Sequence, residues 1–91
     1  MKRAEVECVI SNELGLHLRA AAALVKIAEG FTSEVTLYRD GMSANGKSII
    51  ALVTLAAAKG MRLRIVAEGS DADEAVLALE VLVSEGFGES T

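Results

Sequence analysis

The residues with the clearest chemical potential in this sequence are His17 and Arg19, within the segment GLHLR (residues 15–19). Alanine and leucine dominate the residues that follow, so a helix is predicted to begin here. The first N–H groups of a helix have no internal partner, and the helix dipole makes that end positive, so an anion can bind there. The same dipole disfavours a charged imidazole. We therefore expect His17 to be a neutral nucleophile toward phosphorus, with Arg19 and first-turn N–H groups holding the phosphoryl oxygens.

The loop before His17 has a part in this hypothesis, because Gly15 would allow a tight turn that leaves the imidazole exposed. The alternative is that His17 is an ordinary surface residue or a helix cap, since polar residues are common at helix starts. The residue types alone leave both interpretations open.

A second helix is predicted over residues 49–59 (IIALVTLAAAK), with Ser48 at its start. The simplest role for Ser48 is that of an N-cap. A phosphate on this serine would also meet free N–H groups. The apolar residues Ile49, Ile50 and Val53 either belong to the core or expose a docking patch for partners.

Residues 41–48 (GMSANGKS) match the P-loop pattern G-x-x-x-x-G-K-S. We expect the match to be a coincidence, because Asp40 and Gly41 form a hairpin turn signal and no parallel strand-helix-strand unit surrounds the motif. One histidine and one cysteine, far apart, predict no metal site. Cys8 is predicted to pack inward rather than to react, nothing places a Ser-His-Asp arrangement, and no cofactor is indicated.

Alternating apolar and polar residues predict four strands, and runs of helix-forming residues predict three helices. The strands are expected over residues 4–10, 34–38, 42–44 and 61–66, and the helices over residues 17–29, 49–59 and 71–85. This order favours one α+β domain over residues 1–91, a two-layer structure. A four-stranded antiparallel sheet would be covered by the helices on one face and open on the other.

The ends of the helices carry their own signals. Gly30, Gly60 and Gly86 are expected to close the three helices, and Ser70 with Asp73 forms a capping pattern at the third. On that helix one apolar face is predicted, formed by Ala72, Ala75, Val76, Leu79 and either Leu82 or Val83. The tail FGEST (residues 87–91) is expected to fray.

Composition excludes several classes of function. The net charge is −4 and the basic residues are scattered, which argues against nucleic-acid binding. No segment approaches the roughly 18 to 20 apolar residues of a membrane span, so no membrane insertion is expected. A single cysteine implies no internal disulfide, and acids at positions 5 and 7 interrupt a signal-peptide core. We expect a cytoplasmic protein with a shallow surface site.

Three separated stretches resemble the HPr family, the histidine phosphocarriers of the bacterial phosphoenolpyruvate-dependent phosphotransferase system. Residues 12–19 (NELGLHLR) resemble its active-site segment, residues 46–60 (GKSIIALVTLAAAKG) its regulatory-serine segment, and residues 85–89 (EGFGE) its C-terminal end. The resemblance spans essentially the whole chain. It implies an open-faced β-sandwich of the order already deduced.

The resemblance also implies roles for residues. His17 would accept a phosphoryl group on Nδ1 from enzyme I and pass it to enzyme IIA domains, with help from Arg19. Ser48 matches a serine that a dedicated kinase and phosphorylase act on, and its charge would oppose docking of acidic partner surfaces. The docking residues would be Leu18, Ile49, Ile50 and Val53. The protein would be a monomeric carrier in sugar uptake or its regulation, not an enzyme.

Two departures from the family pattern lie beside His17. Ala20 stands where the family usually has proline, in a chain with no proline at all, and Leu18 replaces a smaller residue. Ala20 keeps its N–H, so the N–H groups of Leu18, Arg19 and Ala20 are all candidate phosphate donors. These departures bear on the choice of partner and on the transfer rate, while the chemistry remains possible.

Three alternatives to a sugar-uptake carrier stay open on sequence alone. The first is a signalling carrier of the nitrogen-related branch. The second is a purely regulatory module acting through Ser48, although the presence of His17 argues against it. The third is a small ligand-binding α/β domain without phosphochemistry.

Overall fold

The computed structural model describes residues 2–89, which form four strands, three helices and a short 3-10 turn in the predicted order. The elements are β1 (Arg3–Val9), α1 (Leu18–Ala28), β2 (Glu34–Arg39), β3 (Met42–Asn45), α2 (Ile49–Leu55), β4 (Arg62–Glu68), α3 (Ala72–Ser84) and the turn Gly86–Gly88.

The sheet is fully antiparallel, with the strand order β1-β4-β2-β3. Ile65 of β4 pairs with Val6 of β1 on one side and Leu37 of β2 on the other, so apolar residues in register face the helices. Antiparallel strands with one buried face explain the alternation in the sequence. The predicted fold class, an open-faced two-layer sandwich with three helices on one face, is confirmed.

The two faces of the sheet differ in composition. The buried side and the helices share an aliphatic core to which Phe87 is added. Cys8 packs against this core, as predicted. The open side carries charged residues, and the Arg64 guanidinium lies 4.2 Å from the centre of the Tyr38 ring. Such a cation–π contact shields the ring on an otherwise solvated face.

Helix α2 is shorter than predicted. It ends at Leu55, because Ala56 adopts a left-handed conformation (φ 55°), and residues 56–60 form a loop. A tertiary contact takes the place of a further helical hydrogen bond, because the Arg39 side chain donates from Nε to the Leu55 carbonyl (2.8 Å). Leu16 N–H donates to the Ala57 carbonyl (2.8 Å). Gly60 therefore lies in the loop and does not close the helix.

The start of α3 also differs from the prediction. The N-cap is Asp71 rather than Ser70, and its carboxylate makes no capping hydrogen bond to its own helix. It accepts hydrogen bonds from the N–H groups of Thr32 (2.9 Å) and Ser33 (3.0 Å), and from the Ser33 hydroxyl. These hydrogen bonds lower the pKa of the Asp71 carboxyl to about 2, and the bond from the Ser33 hydroxyl has the largest effect. The predicted apolar face is observed, with Val83 buried and Leu82 only partly buried.

Helix α1 matches its predicted span to within one residue at each end. Its C-cap is Glu29, and Gly30 does not adopt the positive φ of a glycine cap. The Gly30 N–H donates to the Ile27 carbonyl (3.0 Å), which tightens the last turn instead.

The prediction of a frayed tail is wrong for residues 87–89. Phe87 is only 7% exposed and joins the core, so the chain remains packed beyond α3. The remaining tail residues, Ser90 and Thr91, lie outside the described part of the chain. None of the helices in residues 2–89 is long and apolar enough to cross a membrane.

The P-loop match at residues 41–48 falls largely on β3, an antiparallel strand, and on the short turn to α2, not on a loop that follows a parallel strand. Arg39 pairs with Met42, so Asp40 and Gly41 form the predicted two-residue hairpin. The Lys47 ammonium, which would bind phosphate in a P-loop, instead donates a hydrogen bond to the Phe31 carbonyl (2.9 Å). The match is a coincidence of letters.

Candidate functional site

His17 is the N-cap of α1, with an extended backbone (φ −80°, ψ −177°). Its Nδ1 accepts a hydrogen bond from the Arg19 N–H (3.3 Å), and its carbonyl accepts the first intrahelical bond, from Ala21 N–H (2.8 Å). The side chain is 23% exposed. Thus Nδ1 points toward the unpaired N–H groups of the helix start and remains reachable from solvent.

The loop that carries His17 is fixed against the loop between α2 and β4. Gly15 has a φ of +65°, and a Cβ at this position would lie 2.5 Å from the Ala57 carbonyl oxygen. The next residue, Leu16, is buried and donates its N–H to the same oxygen. Only glycine fits this approach. The tight loop predicted from Gly15 is present, and it leaves the imidazole at the surface.

The other ring nitrogen of His17 contacts a residue that the sequence did not indicate. Nε2 is hydrogen-bonded to Oε2 of Glu89, 72 positions along the chain. The second oxygen of this carboxylate accepts from Asn12 Nδ2 (2.9 Å), which also donates to the Gly15 carbonyl (2.8 Å). The hydrogen bond from Asn12, and to a smaller extent the bond from His17, hold the pKa of the Glu89 carboxyl below its usual value.

These contacts define the protonation pattern of a neutral His17 ring. Nδ1 accepts from a backbone N–H, which is always a donor, so Nδ1 carries no proton. The ring proton is then on Nε2, facing a carboxylate that can only accept. The arrangement leaves the lone pair of Nδ1 at the helix start, where a phosphoryl group would be bound.

The three predicted backbone donors occupy the first turn of α1. The N–H groups of Leu18, Arg19 and Ala20 precede the first intrahelical bond, and that of Arg19 is shared with the His17 ring. The Arg19 side chain is exposed, and its charge contributes to the lowered pKa of Glu89. Ala20 is buried, so a methyl group occupies the position where the family usually has proline.

Ser48 is the N-cap of α2, and its hydroxyl accepts a hydrogen bond from the Ala51 N–H (3.2 Å). The capping role is therefore present, and the hydroxyl is only half-buried. The structure thus supports the structural interpretation of Ser48 directly. A regulatory role remains a prediction.

The predicted docking residues differ in exposure. Leu18 and Ile50 are exposed, Ile50 to 80%, and Val53 is 39% exposed. Ile49 packs against the core instead, because it lies on the inner side of α2. Leu14, in the loop before His17, is also exposed, which the sequence analysis missed. An apolar residue in a polar loop was the signal that could have indicated it.

Residues 2–89 contain no cluster of three histidine, cysteine or acidic side chains that could hold a metal ion. An open groove of about 410 Å³ runs beside β2 and β3 and is lined by residues such as Thr36, Ser43 and Lys47. It shares no lining residue with the site around His17. The His17 side chain is itself partly exposed at the surface, where another protein can reach it.

A partly exposed imidazole at a helix start, on an open-faced sandwich, is typical of a phosphoryl carrier of the histidine type. Residues 4–85 match the family profile described as PTS HPr component phosphorylation site. The chain belongs to the HPr family, the phosphocarriers of the bacterial phosphotransferase system.

Similar proteins agree with this assignment. The phosphocarrier protein HPr of Xylella fastidiosa (strain 9a5c) is 40% identical over 87 residues, which are 96% of this chain and 98% of that protein. A multiphosphoryl transfer protein of Salmonella typhimurium is 41% identical over 86 residues, which cover 91% of this chain but only 23% of that protein. The crystal structure of HPr-C-His from Thermoanaerobacter tengcongensis superposes with a TM-score of 0.91 at 38% identity, with full coverage of both chains.

Proposed function

We propose that His17 accepts a phosphoryl group on Nδ1 from enzyme I and passes it to enzyme IIA domains, in sugar uptake or its regulation. The observation that carries this proposal is the position of Nδ1, whose lone pair faces the free N–H groups at the start of α1. That position combines a nucleophile with an anion-binding helix end.

The chemistry requires no group beyond the two proteins. The Nδ1 lone pair attacks phosphorus, the Nδ1–P bond forms, and the bond between phosphorus and the donor atom of enzyme I breaks with its electron pair returning to that donor. The N–H groups of Leu18 and Ala20, in the first turn of α1, and the guanidinium of Arg19 would stabilise the phosphoryl oxygens. Transfer to an enzyme IIA domain is the same displacement, with Nδ1 now the leaving atom.

Docking of both partners would use the apolar residues next to the site. Leu14 and Leu18 are exposed on either side of His17, while Ile50 and Val53 are exposed on α2. Exposed aliphatic side chains that become covered are typical of the core of a protein–protein interface. One chain carries one phosphoryl group in this proposal, so a monomer suffices.

A second part of the proposal concerns Ser48, as a target of a kinase and a phosphorylase. Its half-buried hydroxyl caps α2 directly before the exposed Ile50. A phosphate there would add nearly two negative charges beside the docking residues. The effect would be weaker docking of acidic partner surfaces.

The test is the intact mass of the protein after incubation with phosphoenolpyruvate, Mg²⁺ and a bacterial enzyme I. We expect a gain of one phosphoryl group, labile to acid and stable to base, in the wild type. The Ser48→Ala variant should gain it equally, and the His17→Ala variant should gain none while keeping its circular dichroism spectrum. Phosphorylation of His17→Ala to the wild-type level would refute the assignment, because His17 is the only histidine.

The branch of the system can be tested in the same assay. Phosphorylated protein is mixed with a sugar-type or a nitrogen-type enzyme IIA domain, and loss of the phosphoryl group is followed by mass. Faster transfer to the sugar-type domain supports the role in sugar uptake. Faster transfer to the nitrogen-type domain would overturn that part and indicate the signalling branch.

A further inference from the structure

We propose that Glu89 is a positioning residue for phosphoryl transfer, whose carboxylate holds the Nε2–H of His17 so that the Nδ1 lone pair stays directed at the start of α1. This inference rests on the proposed function and assigns a role to the C-terminal end of the chain.

The contact is enclosed rather than a surface ion pair. The side chain of Glu89 is 12% exposed and that of His17 is 23% exposed. Each oxygen of the carboxylate has its own donor, Oε2 the His17 ring and Oε1 the Asn12 amide. Asn12 is only 2% exposed and is itself held by the Gly15 carbonyl. A carboxylate fixed at both oxygens fixes in turn the plane of the ring it binds.

The backbone before Glu89 is bent in a way that brings the carboxylate to the ring. Gly86, Phe87 and Gly88 have φ values of 65°, 58° and 76°. Residues with a side chain rarely adopt this conformation, yet Phe87 does so, and its side chain is anchored in the core. The turn thus holds a strained residue, Phe87, two positions before Glu89, which contacts the site.

The carboxylate has a defined task in each step of the transfer. In the free protein it selects the ring form with the proton on Nε2, because it can only accept a hydrogen bond. When the Nδ1–P bond forms, the ring keeps this proton and gains a formal positive charge, which the adjacent carboxylate stabilises. When the bond breaks again, its electrons return to Nδ1 and the ring is neutral as before. No further reactant is needed.

The test compares four proteins in the enzyme I assay, under conditions where transfer to His17 limits the rate. We expect Glu89→Ala to lower the rate roughly ten-fold, as for other carboxylates that orient a reactive imidazole. Glu89→Gln keeps an acceptor oxygen without the charge and should recover part of the loss. Glu85→Ala is the matched control, because Glu85 is exposed on the same tail, and it should transfer at the wild-type rate.

A spectroscopic measurement separates positioning from folding. In ¹⁵N NMR of the neutral imidazole, wild type and Glu85→Ala should show the proton on Nε2. Glu89→Ala should also show the form with the proton on Nδ1, because the long bond from the Arg19 N–H (3.3 Å) then holds the ring alone. Equal rates and equal ring forms in Glu89→Ala and the wild type would overturn the role of Glu89 while leaving the proposed function intact. A wild type that accepts no phosphoryl group would overturn both.

Discussion

Two carboxylates each accept several hydrogen bonds from a segment distant along the chain, Asp71 at the start of α3 and Glu89 beside the start of α1, yet the two sites differ in what the carboxylate holds. At α3, Asp71 binds two backbone N–H groups and a serine hydroxyl. At α1, Glu89 binds an amide and the ring of His17. The first set contains only groups that stay unchanged near neutral pH. The second contains a nucleophile.

Burial distinguishes the structural site from the proposed reactive one. Ser33, held by Asp71, is fully buried, so the bond links two segments and the serine is closed to solvent. His17 remains partly exposed at an open surface. A carboxylate that accepts several hydrogen bonds therefore carries no function by itself, and the exposure and chemistry of the group it binds decide the outcome.

The largest effect is expected from breaking the loop before α1. In Gly15→Ala the added Cβ would meet the Ala57 carbonyl at 2.5 Å and require a positive φ. We expect the free energy of unfolding to fall by about 3 kcal/mol and phosphoryl acceptance to decline with it. Urea denaturation measures the free energy of unfolding.

Gly41→Ala is the control, because a Cβ there meets no atom within 4 Å and the φ is not positive. Its free energy of unfolding should lie within about 0.5 kcal/mol of the wild type. Equal stability of the two variants would contradict the close packing of Gly15 against the Ala57 carbonyl.

The second-largest effect is expected from removing the charge of Asp71 at the start of α3. Asp71 has its pKa lowered from 3.8 to about 2, so its stabilisation is present above pH 4 and is lost as the pH falls from about 4 toward 2. Asp71→Asn should lower the thermal midpoint by several degrees at pH 7 and flatten its decline between pH 4 and 2. Thermal unfolding from pH 7 to 2 gives both quantities.

Its control is Asp73→Asn, because Asp73 makes only an exposed ion pair with Lys2. That variant should unfold like the wild type at every pH. Asp71→Asn should also accept a phosphoryl group at the wild-type rate at neutral pH. A slower rate would mean that the hydrogen bonds of Asp71 and those of Glu89 are coupled, so that Asp71 would not be purely structural.

A smaller effect is expected at the start of α2. Ser48→Asp places a negative charge next to the docking residues and should weaken enzyme I binding roughly ten-fold, because like charges oppose docking. Ser48→Asn retains a capping oxygen without the charge and should bind like the wild type. Isothermal titration calorimetry at low salt measures both affinities. Identical affinities for the two variants would remove the electrostatic basis for regulation.

The smallest effect is expected from restoring the family's proline. Ala20→Pro removes an N–H that has no intrahelical acceptor, so stability should change by less than about 1 kcal/mol. Transfer should be slower but not abolished, because one of the proposed phosphate donors is lost. Ala21→Pro, one residue later, removes the bond to the His17 carbonyl and should cost about 3 kcal/mol. Chemical denaturation of the pair checks this contrast. A large loss in Ala20→Pro would show that the first turn is less tolerant than its hydrogen bonds indicate.

Most of the fold could be predicted because its signals are local. Strand alternation, helix-forming runs and the Asp40-Gly41 turn each lie within a few residues, and they placed every strand and helix in order. The errors lie where distant contacts compete with local preference. Helix α2 stops at Leu55 because its last carbonyl binds Arg39, and the tail stays packed because Phe87 enters the core.

The position of a histidine at a helix start could be predicted from the residues next to it. The groups that hold His17 and Ser33 could not, because Glu89 is 72 positions from His17 and Asp71 is 38 positions from Ser33. Hydrogen bonds between such distant groups leave no periodic pattern in the chain. They form only when the sheet and helices have already brought the two segments together.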